Sequence, residues 1–240
     1  ATLRDKLREL ARCGVDQVVV MRFDRRVASM SPEAFVDTVL VRGLRARYVL
    51  VGDDFRFGAR RAGDYAMLDA LGDARGFDVA RMQSYEVHGT RVSSSEVRAA
   101  LAAGDMARAT ALLGHAHTLA GRVVHGRKLG RDLGFRTLNL RFPAIRSAAE
   151  GIFVAQVDGL GPGRSPIPQP LPAVASLGRR PTIDDEGRVL LEVHCLEWPD
   201  ELGSEGGYGR CVEVTLLHKL HDERRYESME ALRLGIAADT

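Results

Sequence analysis

Leucines recur at positions i, i+4 and i+7 within residues 3–10, a spacing that predicts an opening helix. Gly14 follows, and glycine is common just past a helix end. The apolar run Gln17–Met21 (QVVVM) predicts a buried strand. The triplet at 31–33 (SPE) supplies an N-cap, a first-turn proline and an acid, so a second helix is predicted to run to about Leu40.

A second apolar run, Tyr48–Val51 (YVLV), predicts another strand. Two such strands joined through a helix form a β-α-β unit, which predicts a parallel sheet with helices on its faces. Further along, the serines at 93–95 predict a helix start, with Gly104 at its end. Asp105 then caps a short helix that ends at Gly114. The first half of the chain is therefore expected to be an α/β domain.

The pattern changes at about Thr118, where helical periodicity gives way to short β-rich runs separated by glycine and proline. These runs are Thr118–Val124, Thr137–Leu140, Gly151–Val157, Pro172–Leu177, Leu190–Glu197 and Cys211–Leu217. Short strands with turn-rich spacers predict an antiparallel barrel or sandwich. A final helix is predicted from Ser228 onward. The sequence thus predicts two domains that meet near residues 115–118.

Composition narrows the class of protein. Hydrophobic residues make up 45% of the 240, which excludes a mainly disordered chain. Lys and Arg number 34 against 32 Asp and Glu, a balance that gives no reason to expect a nucleic-acid partner. Cys13, Cys195 and Cys211 are far apart and form no C-x-x-C pair, so we expect neither a disulfide framework nor a zinc knuckle, and a cytoplasmic location. No apolar run approaches the roughly 18 residues that span a bilayer, so no membrane partner is expected.

A glycine-rich basic loop follows the first β-rich run. Its glycines and interleaved cations are Gly126, Gly130, Gly134, Arg127, Lys128 and Arg131. Glycine lets backbone N–H groups approach an anion closely and the cations add positive charge, so the loop is a candidate cover for a polyphosphate. No G-K-[ST] follows, which excludes a Walker A loop. An ordinary mobile loop is the alternative interpretation.

Three polar residues on predicted strands are candidates for phosphoryl-transfer chemistry. Thr137 and Asn139 are two residues apart, so their side chains share one strand face, and their oxygens suit a Mg²⁺ ion that bridges nucleotide phosphates. The alternative is a solvated strand face. Glu192 is a candidate general base for a substrate hydroxyl, and the alternative is a surface glutamate on an edge strand.

The α/β half carries two further candidates. Residues 51–63 (VGDDFRFGARRAG) leave a strand end, where open α/β sheets bind ligands, and Phe55 and Phe57 offer an aromatic surface for a flat ring. The serines at 93–95 with Arg98 form an anion site in principle, or simply an N-cap.

Together these features resemble the bacterial bifunctional riboflavin kinase/FMN adenylyltransferases, also called FAD synthetases. The segments that carry the resemblance follow the family's order: VGDDFRFG (51–58), RVSSSEVR (91–98), HGRKLGRDLGFRTLN (125–139), ASLGRRPT (175–182), LEVHCLE (191–197) and LHKLHDERRYESMEAL (217–232). The resemblance covers nearly the whole chain. It implies that the enzyme makes flavin cofactors from riboflavin, FMN and ATP.

The resemblance also implies residue roles. In the kinase half, Glu192 is the catalytic residue, Thr137 and Asn139 hold Mg-ATP, and the flap residues Gly126, Gly130, Arg131 and Gly134 cover the phosphates. In the adenylyltransferase half, the flavin-side and ATP-side residues are Asp53, Phe55, Phe57, Ser93, Ser94, Ser95 and Arg98.

The implied fold is a Rossmann-like α/β nucleotidyltransferase domain with a parallel sheet over residues 1–116, followed by an antiparallel β-barrel riboflavin kinase domain with a C-terminal helix over 117–240. Two departures from the family stand out. Its P-T-A-N motif appears as Arg136-Thr137-Leu138-Asn139, with Leu138 expected to point away from the metal. Its F-D-G-x-H-x-G-H segment does not occur. We therefore expect an adenylyltransferase domain that lacks its N-terminal part, and no FMN-to-FAD conversion by these 240 residues alone.

Two rival functions remain from the sequence alone. A catalytically inactive flavin- or nucleotide-binding regulator would follow if the altered P-T-A-N motif had abolished catalysis. An RNA-binding barrel is the weaker rival, because only 6% of residues are aromatic and stacking surfaces for bases are therefore scarce.

Overall fold

The computed structural model describes residues 2–126, 137–141, 147–161, 170–179, 189–203, 206–224 and 227–239. Its helices are α1 (Leu3–Arg12), α2 (Arg25–Ala28), α3 (Pro32–Phe35, continued by a π-helix over Val36–Gly43), α4 (Tyr65–Arg75), α5 (Ser94–Ala103), α6 (Met106–Leu113) and α7 (Met229–Asp239). Short 3-10 turns cover Ala59–Arg61 and Asp200–Leu202. Its strands are β1 (Tyr48–Val51), β2 (Asp78–Arg81), β3 (Glu86–Val87), β4 (Thr90–Arg91), β5 (His117–Val124), β6 (Thr137–Arg141), β7 (Gly151–Asp158), β8 (Leu171–Arg179), β9 (Val189–Cys195) and β10 (Cys211–His221).

The chain divides into two compact units. One comprises residues 15–91, and the other joins the segment up to Gly14 with everything from Val92 onward. The predicted domain boundary at 116/117 falls inside the second unit, because α5 and α6 group with the barrel. That boundary stays a prediction.

The unit of residues 15–91 contains the expected parallel sheet. β1 and β2 pair in parallel from Tyr48 opposite Asp78 to Val51 opposite Arg81, and α4 is the crossover between them. Its core holds Val36, Val51, Phe57, Leu68 and Phe77.

The strand predicted at Gln17–Met21 is wrong. These residues adopt no regular secondary structure, and Val18, Val19 and Val20 are 41%, 63% and 62% exposed. An apolar run becomes a strand only when a neighbouring edge takes up its backbone hydrogen bonds. Within the described residues, β1 pairs instead with β2, which the sequence interpretation missed together with α4.

The helix starts read from the sequence are confirmed by their caps. Ser31 Oγ accepts a hydrogen bond from the N–H of Ala34 at 3.1 Å, and Ser93 Oγ accepts one from the N–H of Glu96 at 3.2 Å. Gly104 and Gly114 end α5 and α6 in the left-handed conformation that glycine adopts without steric cost.

The second unit contains a closed antiparallel barrel whose strands follow the order β10-β5-β6-β9-β8-β7. All six strands predicted after residue 117 are present, with ends shifted by a few residues. Alternate side chains of each strand fill the interior, and those fully buried include Leu140, Phe153, Leu177, Leu191 and Leu216. The opposite face of every strand points outward, so polar residues at alternate positions are displayed on the barrel surface.

The final helix is also confirmed, with Ser228 Oγ accepting from the N–H of Ala231 at 3.1 Å. At its far end, Asp239 Oδ1 lies 2.8 Å from Nε2 of His221 on β10. Among the helices described, none is long and apolar enough to cross a membrane.

Candidate active site on the barrel surface

The register of two barrel strands brings the main sequence candidates together. β6 and β9 are antiparallel, and Asn139 stands directly opposite Glu192. Their neighbours Leu138 and Leu191 are buried in the barrel, so the alternation of strand side chains turns Asn139 and Glu192 to the outer face. Side chains paired in this way have Cβ atoms about 4.5–5.5 Å apart. An amide and a carboxylate that are 53 positions apart in sequence therefore form one patch.

Thr137 extends the patch along β6. It pairs with His194 of β9, lies two residues from Asn139, and is half-buried. Leu138, between them, is 5% exposed, so it points away from the patch as expected. The hydroxyl of Thr137 and the amide of Asn139 thus lie on the same outer face of the sheet as the carboxylate of Glu192.

On its other side, Glu192 pairs with Ser176 of β8. We call Asn139, Glu192 and Ser176 the cross-strand row, because they lie side by side on three adjacent strands. The sequence places Ser176 in the 175–182 segment that carries the family resemblance but gives no reason to assign it a role. Periodicity alone assigns it to the outer face, but only the strand order places it beside Glu192.

A second carboxylate meets the row at Ser176. The hydroxyl of Ser176 donates to Oε1 of Glu223 at 3.0 Å. Glu223 follows the end of β10, and its carboxylate lies directly on Gly178, where a Cβ atom would overlap it. Glu223 lies in the 217–232 segment that carries the resemblance, but the sequence alone assigns it no role. The glycine at 178, in a strand that otherwise carries side chains, was the available signal of a close approach.

The start of the glycine-rich loop covers Asn139. Gly126 follows β5, and a Cβ built on it would stand 2.5 Å from Cγ of Asn139. Asn139 is only 8% exposed although it belongs to the outer face, so the backbone at Gly126 packs on its carboxamide. The other predicted flap residues, Gly130, Arg131 and Gly134, lie outside the described residues.

The donor set of the patch fits a magnesium ion that keeps several water ligands. A hydroxyl, an amide oxygen and a carboxylate are hard oxygen donors, and magnesium is commonly held by few protein ligands together with substrate phosphates. Among the described residues no cluster of three or more His, Cys, Asp or Glu side chains occurs, which gives no sign of an all-protein cage for a metal.

The candidates of the 51–58 segment occupy different environments. Phe57 is 6% exposed and belongs to the core, while Phe55 is half-buried and stacks on it with ring centroids 5.5 Å apart. Phe55 therefore has more ring surface to offer to a ligand than Phe57 does. Asp53 is exposed, accepts a hydrogen bond from Oγ of Ser84 at 2.5 Å, and lies 3.9 Å from Nη2 of Arg91. The flavin-side roles of these residues stay predictions.

The 93–98 segment forms the N-terminus of α5. Ser93 is its N-cap, and Nη2 of Arg98 lies 3.4 Å from Oγ of Ser94. Ser95 is exposed in the first turn. Ser93, Ser94 and Arg98 line a cavity of about 640 Å³. The N-cap interpretation is thus confirmed, and an anion-binding role for this helix N-terminus stays a prediction.

The same cavity has a polar wall. Half-buried His117 of β5 lines it, and desolvation of the imidazole is the largest cause that lowers the pKa of His117 to about 4. Ser147 also lines it, and its buried hydroxyl has no hydrogen-bond partner among the described residues.

Comparisons with known proteins identify a family for each half of the chain. A family model described as FAD synthetase matches residues 1–96, and one described as riboflavin kinase matches residues 113–240. The bifunctional riboflavin kinase/FMN adenylyltransferase of Escherichia coli K12 is 44% identical over 237 residues, which cover 99% of this chain and 72% of that protein. The Pseudomonas fluorescens protein of the same name is 42% identical over 226 residues, covering 94% of this chain and 69% of that one.

A solved structure shares the fold along nearly the whole chain. A Streptococcus pneumoniae crystal structure, described as a macrolide-efflux protein, superposes with a TM-score of 0.79 at 26% identity, covering 99% of this chain and 73% of that chain. Its description concerns an efflux activity, whereas both curated relatives are named for flavin synthesis.

Proposed function

The chain belongs to the family of bifunctional riboflavin kinase/FMN adenylyltransferases, and from that premise we propose that it phosphorylates riboflavin at the cross-strand row of its barrel. It is an enzyme of flavin cofactor synthesis, with riboflavin, FMN and ATP as substrates. The observation that carries the proposed location is the pairing of Asn139 with Glu192. That pairing supports the proposal because it sets a carboxylate, the proposed base, next to an amide suited to Mg-ATP.

In the proposed reaction, the riboflavin 5′-hydroxyl attacks the γ-phosphorus of ATP. The new O–P bond forms as the bond between the γ-phosphorus and the β,γ-bridging oxygen breaks, and ADP leaves. Glu192 accepts the proton of the attacking hydroxyl, a role that contributes about 10²–10⁴-fold to the rate in other enzymes. Because phosphoryl transfer requires little covalent participation by the protein, alignment of the two substrates supplies most of the remaining acceleration.

Asn139 and Thr137 are proposed to hold Mg²⁺ together with the nucleotide. When bound, the ion would neutralise the charge that develops on the phosphate oxygens. The chain's own contribution is to fix the two oxygens. Leu138 and Leu140 anchor β6 in the barrel interior, and Gly126 packs on the Asn139 carboxamide. The loop that begins at Gly126 is proposed to cover the phosphates.

The second activity, adenylylation of FMN to FAD, is proposed for the N-terminal domain of the full-length protein, to which the α/β part of this chain would contribute. There the FMN phosphate would attack the α-phosphorus of ATP and release pyrophosphate. Phe55 and Asp53 are proposed on the flavin side, and Ser93, Ser94 and Arg98 at the N-terminus of α5 on the phosphate side. The support is the match of residues 1–96 to the FAD synthetase model. We also propose residues 1–116 and 117–240 as the two domains, supported by the start of the first barrel strand at His117.

The location of the kinase site is tested by Glu192→Gln. This change keeps the size of the side chain and removes the basic carboxylate. We expect kcat for ATP-dependent FMN formation to fall by about 10²–10⁴-fold. The measurement is FMN production from riboflavin and ATP, followed by chromatography with fluorescence detection. The matched control is Glu197→Gln, because Glu197 is exposed just beyond the end of the same strand and should leave kcat unchanged.

Two outcomes would contradict the proposal. Equal rates for Glu192→Gln and the parent would remove Glu192 from the mechanism. An unmodified chain that binds riboflavin and ATP but forms no FMN would favour the rival interpretation, a flavin-binding regulator without catalysis.

A further inference from the structure

Ser176 and Glu223 form a polar pair at the end of the cross-strand row. Ser176 is one strand away from Glu192, a separation of about 4.8 Å between strands, and faces the same side of the sheet. Its hydroxyl donates to Glu223 at 3.0 Å. None of the chemistry proposed for Glu192, Asn139 and Thr137 uses this pair.

The hydrogen bonds that Ser176 and Glu223 can still form determine which ligand the pair can bind. A serine hydroxyl has one hydrogen to donate and two lone pairs, and an ionised carboxylate only accepts. Since the hydrogen of Ser176 goes to Glu223, the remaining capacity of both groups is acceptor capacity. The pair therefore suits a ligand that donates hydrogen bonds, such as a hydroxyl group.

The position of Glu223 is defined by the backbone beneath it. Its carboxylate lies against Gly178, and any side chain at residue 178 would overlap it. Gly178 is itself buried and belongs to β8, the strand that carries Ser176. The carboxylate is thus seated against a regular strand of the barrel.

We propose that Ser176 and Glu223 form a specificity subsite that accepts hydrogen bonds from the ribityl hydroxyl next to the one that is phosphorylated. The inference rests on the proposed function, because it takes the reacting 5′-hydroxyl to lie at Glu192. The neighbouring 4′-hydroxyl is one carbon away along the chain, and Ser176 is one strand away along the row. The enzyme would thereby select a flavin with a polyhydroxylated side chain.

The test compares riboflavin with an analogue that lacks only the 4′-hydroxyl. In the unmodified enzyme, kcat/KM should be about 10–100-fold higher for riboflavin, because the analogue leaves the pair without its hydrogen bond. In Ser176→Ala and in Glu223→Ala, kcat/KM for riboflavin should fall to nearly that for the analogue. The analogue's own kcat/KM should stay within about twofold. Glu227→Ala, at an exposed glutamate four residues beyond Glu223, is the matched control and should keep the full preference.

A purely structural role gives a different result. If the substitutions lower kcat/KM equally for both substrates, or if the unmodified enzyme shows no preference, the subsite is wrong. Glu223 is exposed, so Glu223→Ala keeps the test decisive even where Ser176→Ala does not fold. Failure of the proposed function itself is distinguishable, because in that case Glu192→Gln would form FMN from riboflavin at the parent rate.

Discussion

The backbone at Gly126 packs directly on the Asn139 carboxamide, because glycine has no side chain to keep the two apart. With 8% exposure, the amide lies under the backbone that leaves β5. Because the backbone at Gly126 does not adopt a left-handed conformation, the glycine is required here for close approach. A methyl group at this point would force either the loop or the amide to move.

We therefore expect Gly126→Ala to lower kcat/KM for ATP in FMN formation by about 100-fold, since a displacement of about 1 Å at a reacting group has an effect of that order. The measurement is steady-state kinetics at saturating riboflavin, with the melting temperature as a check on folding. Gly52→Ala is the control, because Gly52 has an ordinary φ and the nearest atom to its added Cβ would be 3.8 Å away. A loss smaller than threefold for Gly126→Ala would contradict the packing described.

For single residues, the sequence predicted which strand face a side chain occupies better than it predicted the neighbours of that side chain. Thr137 and Asn139 were assigned a common face because strand side chains alternate, and the structure agrees. Ser176 and Glu223 were missed. Ser176 lies beside Glu192 because β8 and β9 are adjacent, and Glu223 reaches Ser176 because the chain after β10 passes against β8. Neither relation leaves a periodic pattern in the sequence.

Local sequence signals predicted the helices of this chain better than its strands. Caps and glycine ends predicted α5 and α6, because those signals are complete within a few residues. The Gln17–Met21 strand failed because a strand also requires a partner edge, which no local pattern supplies. β2 was missed since its four residues, DVAR, carry little alternation and begin with an aspartate.

β5 begins with a histidine whose burial gives the fold a pH dependence. Desolvation lowers the pKa of His117 from 6.5 to about 4. Between these two pH values, the imidazole is mainly neutral in the folded chain and mainly protonated in the unfolded chain. His117 therefore stabilises the fold fully above pH 6.5, and this contribution is lost as the pH falls toward 4. The loss should reach about 2 kcal/mol at pH 5.

This expectation is checked by urea unfolding at pH 7.5 and pH 5. The unmodified chain should lose about 2 kcal/mol more of its free energy of unfolding between these values than His117→Gln does. His218→Gln, at an exposed histidine of β10, should behave like the unmodified chain. An identical pH dependence for His117→Gln and the unmodified chain would show that His117 is not responsible.

On the scale of the whole molecule, barrel closure assembles the proposed kinase site. The order β10-β5-β6-β9-β8-β7 places β6 and β8 on either side of β9. It thereby joins Asn139, Glu192 and Ser176, which lie in separate segments of the sequence. Strand periodicity predicted six strands but left barrel and sandwich open, since alternation does not specify neighbours. The family resemblance supplied the barrel, which the structure confirms.

The central claim is that Asn139 and Glu192, joined by strand register, act on the same transferred phosphoryl group. A double-mutant cycle on kcat for FMN formation, with Asn139→Ala, Glu192→Gln and the combined variant, tests it most directly. When two residues act as one unit, removing either of them already removes most of the rate enhancement that both supply. The combined variant should therefore be no more than about threefold slower than the slower single variant. Glu192→Gln combined with Glu197→Gln should simply match Glu192→Gln alone. A combined loss equal to the product of the losses from Asn139→Ala and Glu192→Gln would contradict the claim.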